Sequence, residues 1–288
     1  MDVRYERVRQ YSVFENNMDP QDPFSSLMLI DLMVTELCNR VCEFCPRSKE
    51  YPNQNLHMSA DTIALVAKQL QESNYKNRIL ICGFGEPLLW NNLDYGIRVL
   101  REKLPHNKNI HMVTNGDRLT EDKVLNLFDA GLNRIYLSLY DGPKQKEHFS
   151  NLFEKLNIDK DCYFMQEYWH DSSEDYGFVH LSNRAGSLFD GQHQGPCNVP
   201  FYSMTLNYDG KVHLCSHDWN KSITLGDIHQ QSIKQIWLES PEFQRVRKEL
   251  TEKRESEPCK SCNIIGTLYG DKSKETLNAS QLRKPVDI

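Results

Sequence analysis

The residues of this 288-residue chain best placed to do chemistry are its nine cysteines, which fall into groups. Cys38, Cys42 and Cys45 stand in the pattern C-x3-C-x2-C. Three thiolates on one short loop can hold three irons of a 4Fe-4S cube and leave the fourth iron open to a small molecule. A closed zinc site would need a fourth protein ligand close by. The nearest histidine, His57, lies twelve residues beyond Cys45. Cys197, Cys215, Cys259 and Cys262 form a second, looser group, the last two as C-x2-C. Four thiolates brought together from three chain segments suit either zinc or another 4Fe-4S cluster, and composition does not separate the two. Cys82 and Cys162 stand alone in apolar and aromatic runs and read as small buried hydrophobes.

Positioning these groups falls to a regular alternation of strands and helices. Leu29–Val34 reads as a first buried strand, with the three-cysteine loop directly behind it. Ser59 reads as the cap of a helix that carries Ile63, Val66, Ala67 and Leu70 on one face. Strands follow at Arg78–Cys82, Ile110–Thr114, Arg134–Tyr140 and Cys162–Tyr168, with a sixth candidate at Phe178–Leu181. Helices lie between them at about Leu93–Leu104, from Thr120 to Gly131, and over 143–156. This is the pattern of βαβ units and a parallel sheet, whether open or partly closed into a barrel. After about residue 185 the rhythm changes. Asp209-Gly210 is a hairpin turn between two short strands, and short helices follow at Ile233–Leu238 and from Pro241 to about Leu250. These changes predict an N-terminal extension over 1–27, an α/β core over 28–188 and a small α+β domain over 189–288.

A formal net charge of −6 argues against a dedicated nucleic-acid binder. No run approaches the roughly 18 apolar residues that a membrane helix needs. The first residues lack the apolar stretch of a secretory signal. Unsignalled, clustered cysteines point to a reducing, cytoplasmic setting and to metal binding rather than disulfides.

The cysteine loop after a first strand resembles that of the radical S-adenosylmethionine (radical SAM) enzymes, and further segments match in order. Gly83-Phe84-Gly85-Glu86-Pro87 looks like the family's glycine-rich motif for the amino group of S-adenosylmethionine, with Phe84 in place of one glycine. Thr114-Asn115-Gly116 closes the third strand, as in many members. Ser138 before Asp141-Gly142 resembles the S-x-D-G motif with one residue more. Phe44 sits where the family carries an aromatic near the adenine. Arg184, in His180-Leu-Ser-Asn183-Arg184-Ala-Gly186, is suited to the carboxylate of the same cofactor. The segment from Pro196-Cys197 to Cys262 looks like the SPASM/twitch extension in its short, single-cluster form, which implies 4Fe-4S rather than zinc.

The resemblance implies a partial (βα)6 TIM-like barrel with a twitch-type domain containing a β-hairpin. It implies an oxidoreductase that cleaves S-adenosylmethionine to a 5′-deoxyadenosyl radical, takes a hydrogen atom from its substrate and passes an electron to an auxiliary 4Fe-4S cluster. A flavodoxin or ferredoxin would supply reducing electrons. Only 37 residues precede Cys38, fewer than a peptide-binding domain needs, which favours a small sugar- or aminocyclitol-like substrate. A peptide or protein maturase is the alternative enzyme. A metal-binding interaction protein on an inactive barrel is the alternative outside catalysis. The proton acceptor is not named by any motif. Asp141 and Glu167 are candidates by their place near strand ends, as are His170 and Tyr140, and His213, His217 and Asp218 lie beside Cys215.

Overall fold

Strand residues alternate between an apolar face and a polar one, and that alternation decides which side of the sheet can carry a site. The computed structural model describes residues 18–49, 51–168, 182–192, 195–264, 266 and 270–281. Its strands are β1 (Leu29–Met33), β2 (Arg78–Cys82), β3 (Ile110–Thr114), β4 (Arg134–Leu139), β5 (Tyr163–Glu167), β6 (Ser203–Asn207), β7 (Lys211–His213) and β8 (Thr224–Asp227). They form one sheet in the order β5-β4-β3-β2-β1-β6-β7-β8. All neighbours from β5 to β6 pair in parallel, and β7 and β8 are antiparallel. The sixth strand expected at Phe178–Leu181 lies outside the described residues. Among those described, the sixth parallel strand is β6, which pairs with β1 from Leu29↔Ser203 to Met33↔Asn207. The first strand of the predicted hairpin thus extends the core sheet.

One face of this sheet is apolar. Ile30, Leu32, Ile79, Ile81, Ile110, Met112, Ile135, Leu137, Met204 and Leu206 are all fully buried in a single hydrophobic cluster with the helices. Those helices are α1 (Ala60–Glu72), α2 (Leu93–Lys103), α3 (Glu121–Asp129) and α4 (Pro143–Lys155). Their starts follow from the residues expected to cap them. The Ser59 hydroxyl accepts from the Thr62 N–H, the Thr120 hydroxyl accepts from the Lys123 N–H, and Pro143 opens α4. The alternate strand residues, Asp31, Met33, Leu80, Cys82, Val113, Ser138 and Gln166, line a cavity on the other face.

The chain on either side of β6 builds a second wall. Helices α5 (Val199–Tyr202), α6 (Ile233–Glu239), α7 (Pro241–Leu250) and α8 (Gly270–Gln281) belong to it. Ser232 and Gln235 form a capping box on α6. Trp237 is fully buried and donates to the Ser26 hydroxyl at 2.9 Å, tying α6 to the segment before β1. Arg247 lies between the Trp237 and Phe243 rings, 4.1 Å from each centroid. Helix α8 falls in what reads in sequence as a polar tail. It packs on α5 and on the Pro23–Ser26 turn. No helix among the described residues is long and apolar enough to cross a membrane.

Candidate active site with two cysteine centres

The three-cysteine loop leaves β1 and is fixed at both ends. Asn53 brackets Cys38, accepting from its N–H and donating to its carbonyl, each at 2.8 Å. Buried Arg47 ties the far end back, donating to the carbonyls of Phe84 at 2.8 Å, Pro52 at 2.7 Å and Glu36. Arg40 binds Asp117 through Nε at 2.7 Å and Asp141 through Nη1 at 2.9 Å, which pins the loop to the ends of β3 and β4. Cys38, Cys42 and Cys45 then line a cavity of about 420 Å3. His57, the nearest histidine, has both ring nitrogens engaged, Nδ1 with the Thr35 hydroxyl at 2.9 Å and Nε2 with Asn55 at 2.7 Å.

The same cavity collects every residue that the resemblance points toward S-adenosylmethionine: Phe44, Gly83, Gly85, Glu86, Thr114, Asn115, Ser138 and Arg184. Gly85 is required by contact with the cysteine loop itself, since a Cβ there would collide with the carbonyl oxygens of Leu37 and Thr35. Glu86 is buried and accepts from the Thr114 hydroxyl at 2.6 Å, the Asn115 N–H at 2.8 Å and the Leu88 N–H at 3.0 Å. Burial still raises its carboxyl above the usual range. Thr114 and Asn115 therefore act on Glu86. Phe44 stacks on Tyr140 and Tyr168, 5.6 Å from each, and those two rings lie 5.2 Å apart. Ser138 bonds the Tyr140 hydroxyl, whose ionisation burial pushes far up. Arg184 has its Nε shielded from solvent with no partner among the described residues, and burial lowers its pKa.

The second group closes around a much smaller cavity of about 20 Å3, lined by Cys197, Cys215, Cys259 and Cys262 among apolar neighbours. Arg254 draws its arms together, donating to the carbonyls of Gly195 at 3.0 Å, Pro196 at 3.1 Å and Cys262 at 2.9 Å. The Cys197 N–H donates to the Leu250 carbonyl at 3.0 Å. Asn183 donates to the Ser261 carbonyl at 2.7 Å, so the Arg184 segment is tied to the Cys259–Cys262 loop. Burial, with repulsion from neighbouring thiols, pushes three of them up, Cys197 above its usual value, Cys259 to about 12 and Cys215 well above its usual value. A cationic centre is what would hold them as thiolates. Among the described residues no three His, Cys, Asp or Glu side chains converge as one metal ion would require. Four thiols lining one small cavity are a donor set that a 4Fe-4S cluster takes.

The two cavities share a wall residue. His217 lines both, with Ser216 and Trp219 on the larger one and Ala185, next to Arg184, on the smaller. Phe84, the departure from the glycine-rich motif, packs its ring 4.8 Å from Trp219. Lys221 pairs with Glu36 across the same seam.

The two catalytic candidates do not face the cavity. The Asp141 carboxylate is bound by Arg40, which holds it below the usual range. Glu167 pairs with Lys146 at 2.5 Å, while its neighbours Gln166 and Tyr168 line the cavity, because adjacent strand residues point to opposite faces. Asp218 is taken up by Ser222 and the Ile223 N–H. His213 is buried, which lowers its pKa. His170 and His180 lie outside the described residues. Sequence reasoning passed over Arg47, Arg254, Trp219 and Asp31. Cys82, read as structural, lines the cavity beside Asp31, and Cys162 is partly exposed.

Residues 32–156 match the model of the radical SAM superfamily, and residues 197–263 match that of the SPASM iron-sulfur cluster-binding domain. The S-adenosyl-L-methionine-dependent 2-deoxy-scyllo-inosamine dehydrogenase of Niallia circulans is 30% identical over 244 residues, 82% of this chain and 93% of that one. The chain belongs to the radical SAM superfamily. It is an oxidoreductase of that superfamily, and its cofactors are S-adenosylmethionine and 4Fe-4S clusters. Among solved structures, BtrN in complex with AdoMet and 2-DOIA is similar at TM-score 0.72 and 29% identity, over 83% of this chain and 94% of that one. The anSMEcpe structure with bound AdoMet, at TM-score 0.53 and 16% identity over 88% of this chain and 98% of that one, shares the fold. The probable GTP 3′,8-cyclase of Methanocaldococcus jannaschii is 34% identical over 108 residues, 38% of this chain and 35% of its own length.

Proposed function

We propose that this radical SAM enzyme oxidises a secondary alcohol of a small, polyhydroxylated, aminocyclitol-like substrate to the ketone. The observation that carries the reading is that His217 lines both cavities, so the larger one reaches the wall of the auxiliary centre. The likeness to a 2-deoxy-scyllo-inosamine dehydrogenase along most of both chains supports the substrate class.

In this reading Cys38, Cys42 and Cys45 hold the first cluster, and Cys197, Cys215, Cys259 and Cys262 hold the second. Together with S-adenosylmethionine these groups supply a hydrogen-abstracting radical and an electron acceptor. The protein does the rest. Glu86 faces the cofactor's ammonium with Gly83 and Gly85 beside it, and Arg184 takes the carboxylate. Thr114 and Asn115 aim Glu86, Ser138 lies toward the ribose, and the Phe44–Tyr140–Tyr168 stack walls the adenine side against water. Residues 1–27, 28–188 and 189–288 form the extension, the core and the auxiliary-cluster domain, a division by role, since β6–β8 continue the core sheet. A flavodoxin or ferredoxin reduces the first centre. A cytoplasmic setting fits nine cysteines of which none is in a disulfide.

Anaerobically reconstituted protein, given dithionite, S-adenosylmethionine and 2-deoxy-scyllo-inosamine, is expected to form 5′-deoxyadenosine and ketone in equal amounts. Replacement of Cys42 by Ala should abolish both. An isomerised product without net oxidation, or ketone formed unchanged after Cys215→Ala, overturns the reading.

A further inference from the structure

Turning an alcohol into a ketone releases a proton, and neither Asp141 nor Glu167 faces the cavity to receive it. Among the described residues two carboxylates line that cavity, Glu86 and Asp31. Glu86 already accepts from Thr114, Asn115 and Leu88. Asp31 sits at the middle of β1, between Ile30 and Leu32, which are fully buried on the apolar face. The pleat therefore turns Asp31 toward the cavity. Its partners come from both halves of the molecule: Arg78 and Cys82 on β2, Ser203 on β6, and Ser216, the residue after Cys215. Cys82 and Ser216 line the same cavity. Asp31 thus lies on the cavity wall where the first centre's strand meets the second centre's loop.

We infer that Asp31 is the proton acceptor of the dehydrogenation, an assignment that rests on the alcohol-oxidising reading above. The carbinol carbon loses its hydrogen atom to the radical derived from S-adenosylmethionine, which becomes 5′-deoxyadenosine. The hydroxyl proton passes to the Asp31 carboxylate as the C=O bond forms. The remaining electron goes to the auxiliary iron-sulfur centre. Burial raises the Asp31 carboxyl to about 6, against the pull of Arg78. A carboxylate with its pKa nearer the working pH is a better proton acceptor than an ordinary one. The titratable groups facing it are Arg78, Cys82 and Tyr75, and burial holds the last two neutral.

The test uses the reconstituted holoenzyme with 2-deoxy-scyllo-inosamine deuterated at the carbon to be oxidised, comparing wild type, Asp31→Asn and Asp31→Glu. Asp31→Asn is expected to bind the probe within about threefold of wild type and still carry deuterium into 5′-deoxyadenosine. It should form ketone about 10²–10⁴-fold more slowly, with partial recovery in Asp31→Glu. The wild-type rate should rise with pH to a plateau above about 6, and that limb should be missing from Asp31→Asn. Infrared titration of the substrate-free enzyme should show a carboxyl band with the same midpoint, absent from Asp31→Asn. Ketone formation by Asp31→Asn within about threefold of wild type, with the acidic limb intact, overturns the assignment. So does loss of probe binding with an unchanged limb, the mark of a mere counter-ion to Arg78. If the wild type leaves the probe unoxidised, the substrate reading fails and the infrared titration still decides. A midpoint near the ordinary value of about 4 overturns Asp31, and a midpoint near 6 keeps it as the acceptor for another alcohol.

Discussion

The two cysteine centres solve the same problem in opposite ways. The first takes all its thiols from one short loop, Cys38 to Cys45, and relies on arginines and an asparagine to hold that loop against the sheet. The second takes its thiols from three segments that only the finished fold brings together, around Arg254 and the end of α7. A local site can be filled as soon as its loop forms. A site assembled across 66 positions, from Cys197 to Cys262, exists only when hairpin, helix and final loop are all in place. The first centre should therefore be the more tolerant of damage elsewhere, and the second should report on the fold.

If the centres are held independently, either can be lost without the other. Arg254→Ala removes bonds to the carbonyls of Gly195, Pro196, Cys262 and Ile264, each charged hydrogen bond being worth about 1.5–3 kcal/mol. The reconstituted variant should hold about four irons per chain instead of about eight, with cleavage of S-adenosylmethionine retained. Arg47→Ala frees the first loop from Phe84, Pro52 and Glu36 and should give the reciprocal result. Iron assays that fall equally in both variants would show that the centres are not independently held.

How much of this was legible in the sequence follows the same division. The first loop, the alternation of strands and helices, and the caps at Ser59 and Thr120 depend on neighbours a few residues apart. The second site was readable only through its resemblance to a known extension, since spacing alone left zinc and a cluster both open. Pairing between β1 and β6 joins residues far apart in the chain, which no local pattern encodes. Glu167 could have been excluded by strand parity, because Tyr163 on the same face stacks on Phe153 of α4 at 4.3 Å. Asp31 also left a signal: a carboxylate inside the apolar run LIDLMV is costly, and costly residues cluster at sites. Helix α8 was hidden because it buries Ser273, Thr276 and Leu277 rather than an apolar stripe.

Asp31 links the two regions, since it lies on the first centre's strand and bonds Ser216 of the second centre's loop, at a price in stability. The folded chain raises its carboxyl to about 6 from 3.8, so the native state holds the proton more tightly than the unfolded one. The group's contribution to stability is fully present below the unfolded value and is lost as pH rises through about 6. Two pKa units amount to about 3 kcal/mol at most. Asp31→Asn, which stays neutral, should gain up to that much over wild type at pH 8 and about half as much at pH 5. Denaturant midpoints at the two values measure it. An equal difference at both would mean that the carboxyl is not strained by burial.

The smallest effect tests the seam itself. Lys221 comes from the second wall, pairs with Glu36 beside the first cysteine loop and lies 5.3 Å from the centre of the Phe84 ring. It is partly exposed, so the pair is worth only about 0.5–1 kcal/mol. Its position gives that small energy leverage, because the contact presses the loop after Cys215 against the turn carrying Gly85 and Glu86. Lys221→Gln should leave iron content and cleavage of S-adenosylmethionine unchanged. The fraction of cleavage events that yield ketone should fall about two- to fivefold, the factor corresponding to that energy. Raising the salt concentration should push the wild type the same way, since a partly exposed ion pair is screened. Unchanged coupling in Lys221→Gln would assign the seam to the Phe84–Trp219 contact alone, and the two centres would then communicate through packing rather than charge.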